Sequence, residues 1–112
     1  MSRWFARFSV LMLLFTATAN IYADDAIWID VRSAEEYSAG HVSLATNIPY
    51  TEIAGRIGEM TEKRDAPIYV YCRSGRRSGI AKETLEAQGF TNVTNLGGLE
   101  DARAMAGETA MQ

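Results

Sequence analysis

The chain has 112 residues, 47% of them apolar and 22% charged, and a formal net charge of −3. Such a composition is globular and excludes wholesale disorder, and the acidic balance excludes a surface that tracks nucleic acid, for which Arg73, Arg76 and Arg77 are too small a basic cluster. A single cysteine, Cys72, and a single histidine, His41, exclude an internal disulfide and a Cys/His zinc cluster.

In chain order, Arg3 and Arg7, the apolar run Val10 to Phe15 and the small Ala23 read as the n-region, h-region and cleavage site of a secretory signal peptide. The run is too short to cross a bilayer, which takes about 20 apolar residues. Residues 1–23 are therefore expected to be removed, leaving residues 24–112 as one small domain in the periplasm with no stable membrane association. No cysteine follows the apolar run, so a lipid anchor is not expected. An unpaired thiol in an oxidising compartment is either buried and inert or the purpose of the protein.

Ala26 to Val31 is a β-branched and aromatic run that suits a strand buried on both faces. Ser33, with Glu36 three residues later, forms the capping box of a short helix that Gly40 ends. A short extended piece over 45–48 closes at Pro49, and a helix from Thr51 carries Ile53, Ile57 and Met60. After the break at Asp65-Ala66-Pro67, Ile68 to Tyr71 is the strongest strand pattern in the chain. A helix is predicted from about Gly75 to Gln88, with Ile80, Ala81, Thr84 and Leu85 on one face and Gly89 as terminator. Phe90 to Leu96 reads as a last strand, Gly97-Gly98 as a turn and Leu99 to Met105 as a last helix; Trp28 is assigned to the core. Strands alternating with helices at this spacing predict an α/β fold: a mainly parallel sheet of about four strands with helices on both faces.

In such sheets ligands sit beyond the carboxyl ends of the strands. Cys72 stands at such an end, and Arg73-Ser74-Gly75-Arg76-Arg77-Ser78 leads from it into a helix. Amides of a glycine-containing loop at a helix N-terminus form an anion cradle, and with three nearby arginines they favour a thiolate over a thiol. Cys72 is the candidate nucleophile, and residues 73–78 the candidate substrate-binding loop. A loop-borne thiol is expected to contribute little packing, so that Cys72→Ser should leave the fold intact.

This loop, following Tyr69-Val70-Tyr71, resembles the active-site loop of the rhodanese family of sulfurtransferases. Ile29-Asp30-Val31-Arg32, Glu36-Tyr37, Gly40-His41-Val42 and Asn47-Ile48-Pro49 resemble the family's first signature, and Gly89-Phe90, Val93 and Leu96-Gly97-Gly98 its last. The similarity covers nearly the whole of residues 24–112 and is strongest to the single-domain periplasmic phage-shock type. The resemblance implies a rhodanese-like domain with thiosulfate sulfurtransferase activity, passing a sulfur through a Cys72 persulfide to cyanide or a thiol. It implies Arg77, with Arg73 or Arg76, on the sulfonate of thiosulfate, no metal or organic cofactor, and a monomer. Asp30 and Arg32 are expected as a structural ion pair near the site, and His41 as a structural hydrogen-bonding residue.

Two other readings use the same features. Cysteine phosphatases and arsenate reductases also place a cysteine before an anion-binding loop, but with five residues between Cys and Arg, where this chain has four between Cys72 and Arg77. A non-catalytic binding or sulfur-carrier module is the remaining alternative.

Overall fold

Parallel strands cannot be joined by hairpins, so each must be reached by a crossover, and the crossovers here are helical. In the computed structural model, which describes residues 26–108, four strands form one sheet: β1 (Ile27–Asp30), β2 (Thr46–Asn47), β3 (Ile68–Tyr71) and β4 (Val93–Gly97). Their order is β2-β1-β3-β4 and every neighbouring pair is parallel. The helices are α1 (Ala34–Ala39), α2 (Ile53–Arg56), α3 (Arg76–Ala87) and α4 (Leu99–Ala106). The α/β architecture matches the sequence reading. The signal-peptide assignment, residues 1–23, lies outside the described residues.

Alternation along the strands divides the core. Ile29 and Val31, with Ile68 and Val70, meet Ile53 and Ile57 near α2 and Ala81 and Leu85 of α3 on one face. Tyr71 meets Val42, Ala45 and Ala102 of α4 on the other, where Trp28 is only partly buried and sets its ring edge-on to Tyr69 at 4.9 Å.

Three elements differ from the sequence reading. The helix predicted from Thr51 is α-helical only over Ile53–Arg56 and tightens to a 3-10 turn over Ile57–Glu59; Gly55 and Gly58 lower its propensity, and Ile53 and Ile57 alone must be buried. On α3 the buried stripe is Ser78, Ala81 and Leu85, while Ile80 is 37% exposed. Phe90 is not in a strand. It fills the base of the larger core, with the Arg64 guanidinium 4.5 Å from its ring centroid, and β4 starts at Val93 and runs through Gly97, which had read as a turn.

A buried ion pair holds the carboxyl end of β1. The Asp30 carboxylate has no exposure and accepts from Arg32 N–H at 2.9 Å, from Nε at 3.0 Å and from Nη2 at 2.7 Å. Arg32 Nη2 also donates to Gly40 O at 2.7 Å, closing the segment that contains α1. The Arg32 guanidinium pKa is raised, chiefly by its hydrogen bond to Asp30. Removing one partner leaves a buried uncompensated charge, so Asp30→Ala should cost about 3–5 kcal/mol. Urea unfolding of the variant against the parent checks this; a loss under about 1 kcal/mol would mean that the pair is replaceable by water.

Candidate active site

The chain passes from β1 to β2 on one side of the sheet and returns to β3 on the other, so the strand order reverses between β1 and β3. At such a switch point the carboxyl ends open a crevice. Cys72 lies there, directly after β3, and the loop 73–75 returns the chain into α3. Its sulfur accepts the Gly75 N–H at 3.0 Å and has the Ser78 Oγ at 3.4 Å. Gly75, the N-cap of α3, has φ 96° and offers no side-chain cap. The sulfur of Cys72 takes that role, as an acceptor for the first turn. Burial pushes the thiol up, but the Ser78 hydroxyl and the backbone amides of Ser78, Gly75 and Ser74 outweigh it, and the pKa falls to about 7. The arginines contribute less at the sulfur than these donors. Cys72 itself has no exposure and belongs to the larger core cluster, contrary to the expectation of a thiol that packs against little.

The loop is fastened from β4. Opposite Val70 and Tyr71 the pairing skips Leu96, so that Asn95 faces Val70 and Gly97 faces Tyr71. This bulge brings Gly97 O to within 3.0 Å of the Cys72 N–H. Gly97 has φ 96°, and a Cβ on Gly98 would stand 2.5 Å from Arg73 O. The double glycine is thus more than a turn; it lets β4 come against the backbone of the loop. Asn95 Nδ2 donates to Gly75 O at 3.0 Å, and its Oδ1 accepts from Ser78 Oγ at 2.7 Å and from Gly97 N–H at 2.9 Å.

The arginines divide. Arg77 Nη1 and Nη2 donate to Glu36 Oε1 and Oε2 at 2.8 and 3.0 Å, a two-point pair that ties α3 to α1. Arg73 and Arg76 are exposed and form no ion pair among the described residues. The hydrogen bond from Arg77 is the main reason that the Glu36 carboxyl falls to about 2. The same carboxylate accepts Ser33 N–H and Oγ, each at 3.1 Å, as the capping box predicted.

A chain with this loop has relatives of known class: the family described as Rhodanese-like domain matches residues 16–104. The chain belongs to the rhodanese family. It is 47% identical over 74 residues to the thiosulfate sulfurtransferase PspE of Escherichia coli, spanning 66% of this chain and 71% of that protein. To the thiosulfate sulfurtransferase GlpE of Pseudomonas entomophila it is 38% identical over 90 residues, spanning 79% of this chain and 81% of that one. Among solved structures, an E. coli rhodanese with anions superposes with a TM-score of 0.66 at 46% identity, covering 68% of this chain and 89% of that chain.

In this rhodanese domain the predicted loop residues 72–78 are together, and Asp30 and Arg32 form a pair at the neighbouring strand end. His41 bonds Tyr37 O through Nδ1 at 2.7 Å and stacks on the Tyr37 ring at 3.5 Å. Sequence reasoning missed Asn95, the contact of Gly98 with the loop, and the second role of Glu36. The capping box and the first-signature resemblance had marked Glu36, but neither pointed to Arg77. No group of three or more metal-binding side chains gathers among the described residues, and none of their helices is long and apolar enough to cross a membrane.

Two pH dependences follow. Because the Glu36 pKa is lower folded than unfolded, its pair with Arg77 stabilises the fold fully above about 4.5 and the contribution disappears as pH falls toward about 2. The stability difference between the parent and Glu36→Gln, measured by denaturant unfolding from pH 6 down to 2, should shrink over that window; a difference that stays constant would place the pair outside the folding equilibrium. Alkylation of Cys72 by iodoacetamide should rise with a midpoint near pH 7, where an ordinary thiol titrates well above it. A midpoint above 8 would refute the activated thiol.

Proposed function

We propose that the chain is a thiosulfate sulfurtransferase in which Cys72 carries the sulfur. The observation that supports this best is the set of donors on one sulfur. A cysteine buried for packing alone asks for no hydrogen bonds, whereas Cys72 lies among amides and a hydroxyl that stabilise a negative charge at that atom.

In the first half-reaction the Cys72 thiolate attacks the outer sulfur of thiosulfate. The S–S bond of thiosulfate breaks, sulfite leaves with its electron pair, and Cys72 becomes a persulfide. In the second, cyanide carbon or a thiolate attacks the terminal sulfur, and the electron pair of the Cys–S bond to it returns to Cys72. Both steps share one covalent intermediate, so the kinetics are ping-pong. Cys72 is covered, and the side of the loop that faces solvent is at Arg73, Ser74 and Arg76, from which the donor approaches. Arg73 and Arg76, exposed at that side and without an ion pair among the described residues, are the cations for the sulfonate, and Arg77 serves to anchor α3 through Glu36. Four residues between Cys72 and Arg77 make a cradle for one sulfur atom; a phosphoryl group brings three equatorial oxygens that all need donors. The protein acts as a monomer without metal or organic cofactor, and residues 1–23 direct it to the periplasm.

Incubating the domain with thiosulfate and no acceptor should add the mass of one sulfur atom at Cys72, and cyanide should remove it as thiocyanate. Cys72→Ser should abolish turnover by at least about 1,000-fold and, because the residue is a core member, lower the melting temperature by a few degrees as well. Cys72-dependent release of phosphate from aryl phosphates without a persulfide adduct would assign the loop to phosphorus chemistry. A stable persulfide that cyanide and small thiols leave untouched would make the chain a sulfur carrier.

A further inference from the structure

The Ser78 hydroxyl has one proton and two acceptors. Its oxygen is 2.7 Å from Asn95 Oδ1, an ideal O–H···O length, and 3.4 Å from Cys72 Sγ. Asn95 cannot be turned over to change this: Nδ2 faces Gly75 O and Oδ1 faces the Gly97 N–H, so a flipped amide would set donor against donor and acceptor against acceptor. With its proton on Asn95, Ser78 presents oxygen lone pairs to Cys72, which accept from a thiol S–H. A thiolate needs the reverse, and the hydroxyl must then rotate and release Asn95.

We propose that Asn95 is a positioning residue that acts on Cys72 through the Ser78 hydroxyl, holding the proton of that hydroxyl while the sulfur is a thiol and yielding it when the sulfur is negatively charged. No bond is made or broken beyond the exchange of one hydrogen bond for another by rotation about the Cβ–Oγ bond of Ser78. The catalytic meaning rests on the reading of Cys72 as the nucleophile. The competition sets how far the sulfur is ionised before a donor arrives, and it allows the hydroxyl to follow the charge as it leaves and returns during the two half-reactions.

Other charged and titratable groups surround the sulfur but bypass this relay. Arg77 of α3 interacts electrostatically with Cys72 and is held by Glu36 of α1. Tyr50, after β2, packs against the Cys72 cluster, and Asp101 of α4 accepts the Gly98 N–H. Among the described residues, the hydrogen bonds given or accepted by the Ser78 and Asn95 side chains involve only Cys72, Gly75, Gly97 and each other.

The test is the pH profile of iodoacetamide alkylation in the parent, Asn95→Ala, Ser78→Ala and the double variant. Ser78→Ala should raise the midpoint, because the thiolate loses a donor. Asn95→Ala should lower it by about half a unit to one unit, the worth of one hydrogen bond freed for a charged acceptor. In the Ser78→Ala background the Asn95 substitution should change nothing further, since a residue that acts through another has no effect in its absence. If Asn95→Ala loosens the loop, as a broadened thermal transition would show, Asn95→Leu keeps the volume without the amide and carries the same expectation. A raised midpoint in the Asn95 variants, or a shift that persists without the Ser78 hydroxyl, overturns the proposal and leaves Asn95 as a clamp on Gly75. Alkylation needs no sulfur donor, so this outcome is independent of whether thiosulfate forms a persulfide.

Discussion

A negatively charged sulfur inside a protein core is stable only where donors converge on it, and keeping backbone amides converged is the constraint that organises this molecule. Amides in a loop point inward only if the loop is closed, and closure here requires a left-handed residue at Gly75 and support from outside. The support comes from β4. Its bulge moves Gly97 into register with Tyr71, the missing side chain of Gly98 admits Arg73 O, and Asn95 spans from the loop to the bulge. A regular strand in this place would put Leu96 where Gly97 accepts from Cys72.

The same constraint explains why α3 departs from ordinary helix-start chemistry. Its first turn contains no acidic residue, two arginines face the unfavourable end of the helix dipole, and its N-cap has no side chain. Local rules are broken in this way where a site uses the helix end. The Cys72 sulfur, whose pKa is lowered to about 7, supplies negative charge there when it ionises, and Glu36 on α1 neutralises Arg77. An acidic protein thus keeps Arg73 and Arg76 exposed at one loop, with no ion pair among the described residues.

The neighbouring strand end, that of β1, gives rigidity rather than reactivity. Asp30 and Arg32 pair under Tyr71, whose hydroxyl is pushed up by burial and accepts the Val42 N–H at 3.0 Å. Asn47 Nδ2 donates to Asp30 O and Arg32 O, each at 3.0 Å. Through these bonds β1, β2, β3 and the segment after α1 are joined behind the crevice, so α1 can present Glu36 to α3.

Much of this was legible in the chain because it is local. β-Branched and aromatic runs locate the strands and helical apolar spacing the longer helices, the Ser33-Glu36 box locates the start of α1, and a cysteine at a strand end before a glycine-containing loop locates the sulfur. Misread elements were those in which packing overrides spacing. Ile80 has helical periodicity but falls outside the stripe, since α3 turns Ser78 toward Cys72, and Phe90 has the composition of a strand but is used as a core plug. Most of the elements, their parallel arrangement and the choice of Cys72 as candidate nucleophile could be read from residues within a few positions of one another. The match of Arg77 with Glu36, 41 positions away, and the hydrogen bond of the Ser78 hydroxyl to Asn95, 17 positions away, emerge only when the chain is folded. Hydrogen bonds between distant segments follow from strand order and a one-residue bulge, and those leave no periodic trace in a chain.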